Sequence, residues 1–135
     1  MNFYNSLTRR QEAFQPLQPG KVGLYTCGPT VYNFAHIGNF RAYVFEDVLR
    51  RSLEFCGYQV VQVMNLTDVD DKTIRGAREQ GVSLDAFTRP FKNAFFDDLK
   101  TLGIKSAEHY PAATDHIPEM RSEERRVGKE CATLC

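Results

Sequence analysis

The sequence predicts an α/β fold with a parallel sheet, and three adjacent stretches carry the prediction. Residues 21–27 (KVGLYTC) form a short apolar run closed by Gly28 and Pro29, which reads as a buried strand ending at Cys27. Residues 37–56 repeat apolar side chains every three or four positions, as one face of an amphipathic helix does. Residues 59–65 (QVVQVMN) are short and rich in β-branched side chains, so a second strand follows. Strand, helix, strand is a βαβ unit, in which the strands run parallel with a right-handed crossover.

Taken in order, residues 1–20 have mixed polarity and end in Pro16, Pro19 and Gly20, which predicts an N-terminal arm turning into the first strand. The helix after it should bury Phe40, Val44, Phe45, Val48, Leu49, Leu53 and Cys56, and Gly57 should stop it. Beyond the second strand, Asp68, Asp70, Asp71 and Lys72 look like a metal cluster. Acidic residues at a helix start complement the macrodipole without an ion, so they are assigned to capping and packing. Ser83 then offers an N-cap to a stripe of Leu84, Phe87, Phe91, Phe95, Leu99 and Leu102, with Gly103 as the stop and a kink expected at Pro90. The helical spacing of Phe87, Phe91 and Phe95 marks core rather than a base-stacking platform. A further helix is expected to open over residues 114–120, where Asp115 and Glu119 suit an N-terminus. Residues 121–135 offer Val127 as their only large aliphatic side chain before Leu134. They predict a frayed or disordered tail, of a character that fits translated adaptor sequence.

Composition narrows the function classes. At 42% hydrophobic and 25% charged, the chain has the balance of a folded domain, and its 135 residues suit one core. Seventeen basic against seventeen acidic residues leave no net field to draw in nucleic acid, so any RNA contact must be local. Cys27, Cys56, Cys131 and Cys135 show no C-x-x-C spacing, and His109 and His116 add no zinc pattern to them; a reducing cytoplasm is expected. There is no run of apolar residues long enough to span a bilayer, and neither a leader peptide nor membrane insertion is expected.

Chemistry concentrates in residues 25–41 (YTCGPTVYNFAHIGNFR), where a strand end, a Gly-Pro loop, a histidine and a helix start lie close together. A helix N-terminus offers N–H groups and partial positive charge to a phosphate beside residues 37–40. Gly38 would let a ligand approach the backbone, His36 would donate to a phosphate oxygen as charge builds on it, and Asn39 would add a neutral donor. Cys27 by residue type alone fits a small apolar filler as well as a ligand, and Thr67 fits a helix N-cap as well as a pocket wall.

These motifs add a resemblance. HIGN at residues 36–39 resembles the HIGH signature of class I aminoacyl-tRNA synthetases, with Asn39 a variant tolerated in one branch. CGPTVY at 27–32, YNSLTRRQEAF at 4–14 and NLTDVDDK at 65–72 are similar to the cysteinyl-tRNA synthetase family over about residues 1–120. That resemblance implies a Rossmann-like (HUP-type) parallel sheet with flanking helices, incomplete on its C-terminal side, with residues 1–120 the first half of a nucleotide-binding catalytic domain. It implies activation of L-cysteine by ATP with Mg²⁺ to cysteinyl-adenylate, transfer to tRNA(Cys), a zinc ion that selects thiolate over hydroxyl, and a cytoplasmic monomer. Carried over by motif, His36 and Asn39 are catalytic. Pro29, Thr30, His36, Gly38 and Asn39 meet ATP, while Cys27, Gly28 and Thr67 meet the cysteine substrate. Cys27 is one zinc ligand, with the others and the KMSKS loop outside this chain, so negligible activity is expected of it alone. Two other readings remain open: a ligase passing cysteine to an amino sugar on the same domain, and a non-catalytic nucleotide-binding remnant.

Overall fold

Two parallel strands form the centre of the computed structural model, which describes residues 1–120. Residues 2–13 precede them as a hairpin of β1 (Asn2–Asn5) and β2 (Arg10–Ala13), paired antiparallel from Asn2–Ala13 to Asn5–Arg10. The expected arm is thus an ordered hairpin. Its exposed, polar β2 shows no alternation from which sequence could have announced a strand.

Strands β3 (Lys21–Thr26) and β4 (Gln59–Met64) pair in parallel from Lys21–Gln59 to Thr26–Met64, as the βαβ reading requires. β3 is only half buried: Val22 and Thr26 face inward while Tyr25, which points to the other face of the sheet, is 70% exposed. The second edge of β4 is covered. Met64 and Leu66 donate their N–H groups to the carbonyls of His109 and Pro111, at 3.0 and 2.9 Å, so residues 108–113 lie alongside it in parallel.

Helix α1 (Ile37–Phe55) joins the strands and ends where Gly57 takes a left-handed φ of 88°. Its buried positions are Phe40, Tyr43, Arg50 and Leu53, with Leu49 packed beside Val22, Leu53 and Val60. Val44, Phe45, Val48 and Cys56, expected inside, face solvent instead. The aliphatic period could not identify the inner face, since Arg50 occupies it. Its guanidinium reaches Ser106 O at 2.8 Å and Gln62 Oε1 at 3.3 Å, and pairs with Glu54 and Glu108, which offsets the cost of burial.

Helix α2 (Asp71–Gln80) is capped by Asp70, whose carboxylate accepts the Thr73 N–H at 2.8 Å. α3 (Leu84–Thr101) starts on the Ser83 hydroxyl and runs through Pro90 without ending there. Phe87, Phe95 and Leu99 of its stripe are buried and Phe91 is partly so, but Leu102 is exposed. Phe95 and Leu99 join Phe40, Tyr43, Met64 and Leu66 in the main core. α2 and α3 approach so closely that a Cβ on Gly76 would overlap the Phe87 ring. The expected helix over 114–120 begins as a 3₁₀ turn, Ala113–His116, and residues 117–120 are helical. The tail predicted for residues 121–135 lies outside the described residues.

Candidate nucleotide site at the strand ends

His36 is the N-cap of α1. Its Nδ1 accepts the Gly38 N–H at 3.0 Å, while Asn39 Oδ1 accepts the His36 N–H at 3.0 Å, a reciprocal box that closes the first turn. Two consequences follow for chemistry. With Nδ1 committed as an acceptor, the neutral imidazole carries its proton on Nε2, which is left as a donor. With Oδ1 of Asn39 committed, its amide Nδ2 remains as the second neutral donor.

Sequence reasoning expected free N–H groups at residues 37–40, and the structure corrects this at 38, 39 and 40. Gly38 N–H goes to the imidazole, and the N–H groups of Asn39 and Phe40 go to His36 O at 2.9 and 3.2 Å. Gly38 also serves differently from expectation. A Cβ there would stand 2.8 Å from His36 Cε1, so the missing side chain makes room for the capping ring rather than for a ligand.

The loop after β3 is set by a second close approach. Gly28 N–H donates to Asn65 Oδ1 at 3.1 Å, and a Cβ on Gly28 would overlap the Asn65 carbonyl. The chain then runs beside the end of β4: Thr67 N–H donates to Pro29 O and Val31 N–H to Thr67 O, both at 3.0 Å. An open cavity of about 360 Å³ lies between this loop and the start of α1. Gly28, Pro29, Thr30, His36 and Asn39 line it together, at the C-terminal ends of two parallel strands, where open α/β sheets bind ligands.

Three of the predicted site residues do not line it. Gly38 supports the wall from behind. The Thr67 hydroxyl accepts from Asn65 Nδ2 at 3.2 Å, and Thr67 is no helix cap, that place belonging to Asp70. Cys27 is exposed beside Gly28, its Sγ 3.7 Å from the Gly28 carbonyl oxygen. Among the described residues no three His, Cys, Asp or Glu side chains gather where they could hold a metal. One thiol does not make a tetrahedral zinc site, which takes four donors.

Sequence reasoning missed Tyr32, Asn33, Phe34, Ala35, Tyr43 and Lys72 as cavity walls. Tyr43 was legible, standing one turn beyond Asn39 on α1. Lys72 was placed with the capping acids, although the start of the helix after the second strand is itself a site-facing position. Beneath the cavity, burial pushes the Tyr43 phenol up to about 12, and charge on Glu46 and Cys27 acts in the same direction. Burial likewise raises Glu46, against a nearby Thr26 hydroxyl, and Glu46 Oε2 is a buried oxygen with no hydrogen-bond partner among the described residues.

Asp68 does not cap α2. It is buried and accepts Lys92 Nζ at 2.6 Å, Thr114 Oγ1 at 2.6 Å and Thr114 N–H at 2.9 Å. Burial raises its pKa, but Lys92 and both Thr114 donors outweigh this and hold it below the ordinary value.

Known proteins resemble this chain in sequence and in fold. A cysteine--tRNA ligase of Brachyspira hyodysenteriae is 64% identical over 118 residues, covering 87% of this chain and 25% of that protein. One from Protochlamydia amoebophila is 60% identical over 120 residues, covering 89% and 25%. The chain therefore spans about a quarter of the length of the curated relatives it matches. The fold is similar to LeuRS in a LeuRS-tRNA-LeuAMS ternary complex from Agrobacterium radiobacter K84. The TM-score is 0.66 at 23% identity, over 84% of this chain and 15% of that one. The family model for the class I (C) tRNA synthetase catalytic domain matches residues 13–131, and with a histidine-capped helix at the mouth of a strand-end cavity, the chain belongs to that family.

Proposed function

We propose that this chain forms the nucleotide-facing part of a cysteine–tRNA ligase, within a Rossmann-like domain that further chain completes. The observation that carries the reading is the His36–Asn39 box, which leaves one imidazole N–H and one amide NH₂ at the rim of the cavity. In the proposed reaction the carboxylate of L-cysteine attacks the α-phosphate of ATP, pyrophosphate leaves, and the cysteinyl group then passes to tRNA(Cys). His36 Nε2–H and Asn39 Nδ2 donate to the phosphate oxygens as charge builds on them, while Pro29 and Thr30 wall the nucleotide. Mg²⁺ accompanies ATP as its chelate. Cys27, Gly28 and Thr67, at the ends of the two strands, are assigned to the amino acid. Cys27 would be one ligand of a zinc ion that holds the substrate thiolate, with the remaining donors supplied from elsewhere. The names of the similar proteins favour tRNA over an amino sugar as acceptor.

Cysteine-dependent exchange of labelled pyrophosphate into ATP tests the reading. The 135-residue chain alone is expected to give only background. Joined to the remaining three quarters of the Brachyspira relative it is expected to exchange with cysteine and not with serine. A chimera that folds, binds ATP and yet prefers another amino acid would refute the assignment.

A further inference from the structure

The strand-end cavity carries a charge that the two neutral donors do not account for. Of the residues that line it, Lys72 alone bears a formal charge, and no carboxylate faces the space. Lys72 comes from the first turn of α2, a different element from the one that carries His36, and is exposed. Among the described residues it takes no acidic partner in an ion pair, although Lys92 and Lys105 both do. Its ammonium stands 4.5 Å from the centroid of the Tyr32 ring and 3.4 Å from the Tyr32 hydroxyl. Both are weak holds for an ammonium, one at the long limit of hydrogen bonding and the other at a partly exposed ring, whereas a charge-assisted bond to phosphate is much stronger. Tyr32 therefore keeps the lysine extended over the cavity without neutralising it.

We propose that Lys72, steadied by Tyr32, grips the anionic phosphate tail of the nucleotide from α2 while His36 and Asn39 hold it from α1. The assignment rests on the nucleotide reading of the cavity. It adds to it the one charged group of the lining, which separates a triphosphate from a monophosphate. Uncharged donors recognise phosphate oxygens of any ester, but a lone cation in a carboxylate-free cavity favours the ligand with the most negative charge.

Isothermal titration of the full chain with ATP, AMP, adenosine and inorganic pyrophosphate tests this, comparing wild type with K72M and K72R. In K72M the affinities for ATP and pyrophosphate are expected to fall about tenfold or more, the loss of one charge-assisted bond. Adenosine should be unchanged, and K72R should recover most of the loss. Lys72 is exposed, so the variants should melt with wild type. Equal ATP and pyrophosphate affinities in wild type and K72M would overturn the assignment while leaving the nucleotide reading intact. So would a loss in K72M that is as large for adenosine as for ATP. If wild type binds pyrophosphate in a Lys72-dependent way but none of the adenine compounds, the nucleotide reading fails and the anion grip stands. If wild type binds none of the four, both fail.

Discussion

A single imidazole has two tasks in this molecule, and substitution can separate them. His36 caps α1 through Nδ1 and presents Nε2 to the cavity. H36D retains a good capping acceptor and is expected to melt close to wild type, yet to lose ATP affinity, because a carboxylate has no donor to offer at the rim. H36A removes both and should cost about 1 kcal/mol of stability in denaturant titration as well as the binding. Equal melting of the two variants would remove the capping role. The sequence motif located this residue but could not divide its labour. A histidine before a helix reads the same whether its ring turns inward or outward, and here the open α position of Gly38 decides.

At the level of elements, helix α2 lies against α3 at one point where backbone meets ring. G76A should cost about 2 kcal/mol, because the added methyl drives into Phe87 and a packed interface yields little. In an F87L background the same change should cost measurably less, and a thermodynamic cycle of the four proteins reads the coupling. Additivity would mean that the helices part freely. β3, β4, α1, α3 and the start of the segment at residue 114 were legible, because apolar period, Ser83 and the glycine stops are local signals. The hairpin and the inner face of α1 were not. β2 buries nothing, and Arg50 is drawn inside by partners 12 and more residues away, which no local pattern encodes.

Across the whole molecule, two buried charges tie together pieces distant in sequence. Arg50 links α1, β4 and residues 106–108, and Asp68 links the end of β4 to α3 and to the 3₁₀ turn. Asp68 is held below its ordinary pKa of 3.8 in the folded state. Its contribution to stability is therefore complete above that value and disappears as pH falls through the lower, folded one. D68N keeps one acceptor oxygen but puts an NH₂ group where Lys92 and the Thr114 hydroxyl found the other, and should cost about 3 kcal/mol at neutral pH. The difference between variant and wild type should shrink in acid melts, and a constant difference down to the lowest pH would show that the carboxylate charge is irrelevant. Of the cavity, the sequence disclosed the side built from residues 28–39. The side built by Lys72 arises from β3 and β4 lying next to each other, a relation between distant stretches that the motif does not contain.

The hairpin of β1 and β2 meets the body through a clasp of three rings, Phe3 against Phe14 at 5.4 Å and Phe14 against Tyr58 at 5.7 Å. Its ladder of hydrogen bonds is complete within itself. It can swing away by parting the clasp and lifting Phe3 and Phe14 off the Val22, Leu53 and Val60 cluster, with the strand-end walls undisturbed. Deuterium should enter its amides far sooner than those of β4, reporting a hinge that opens many times for each passage through the denatured ensemble.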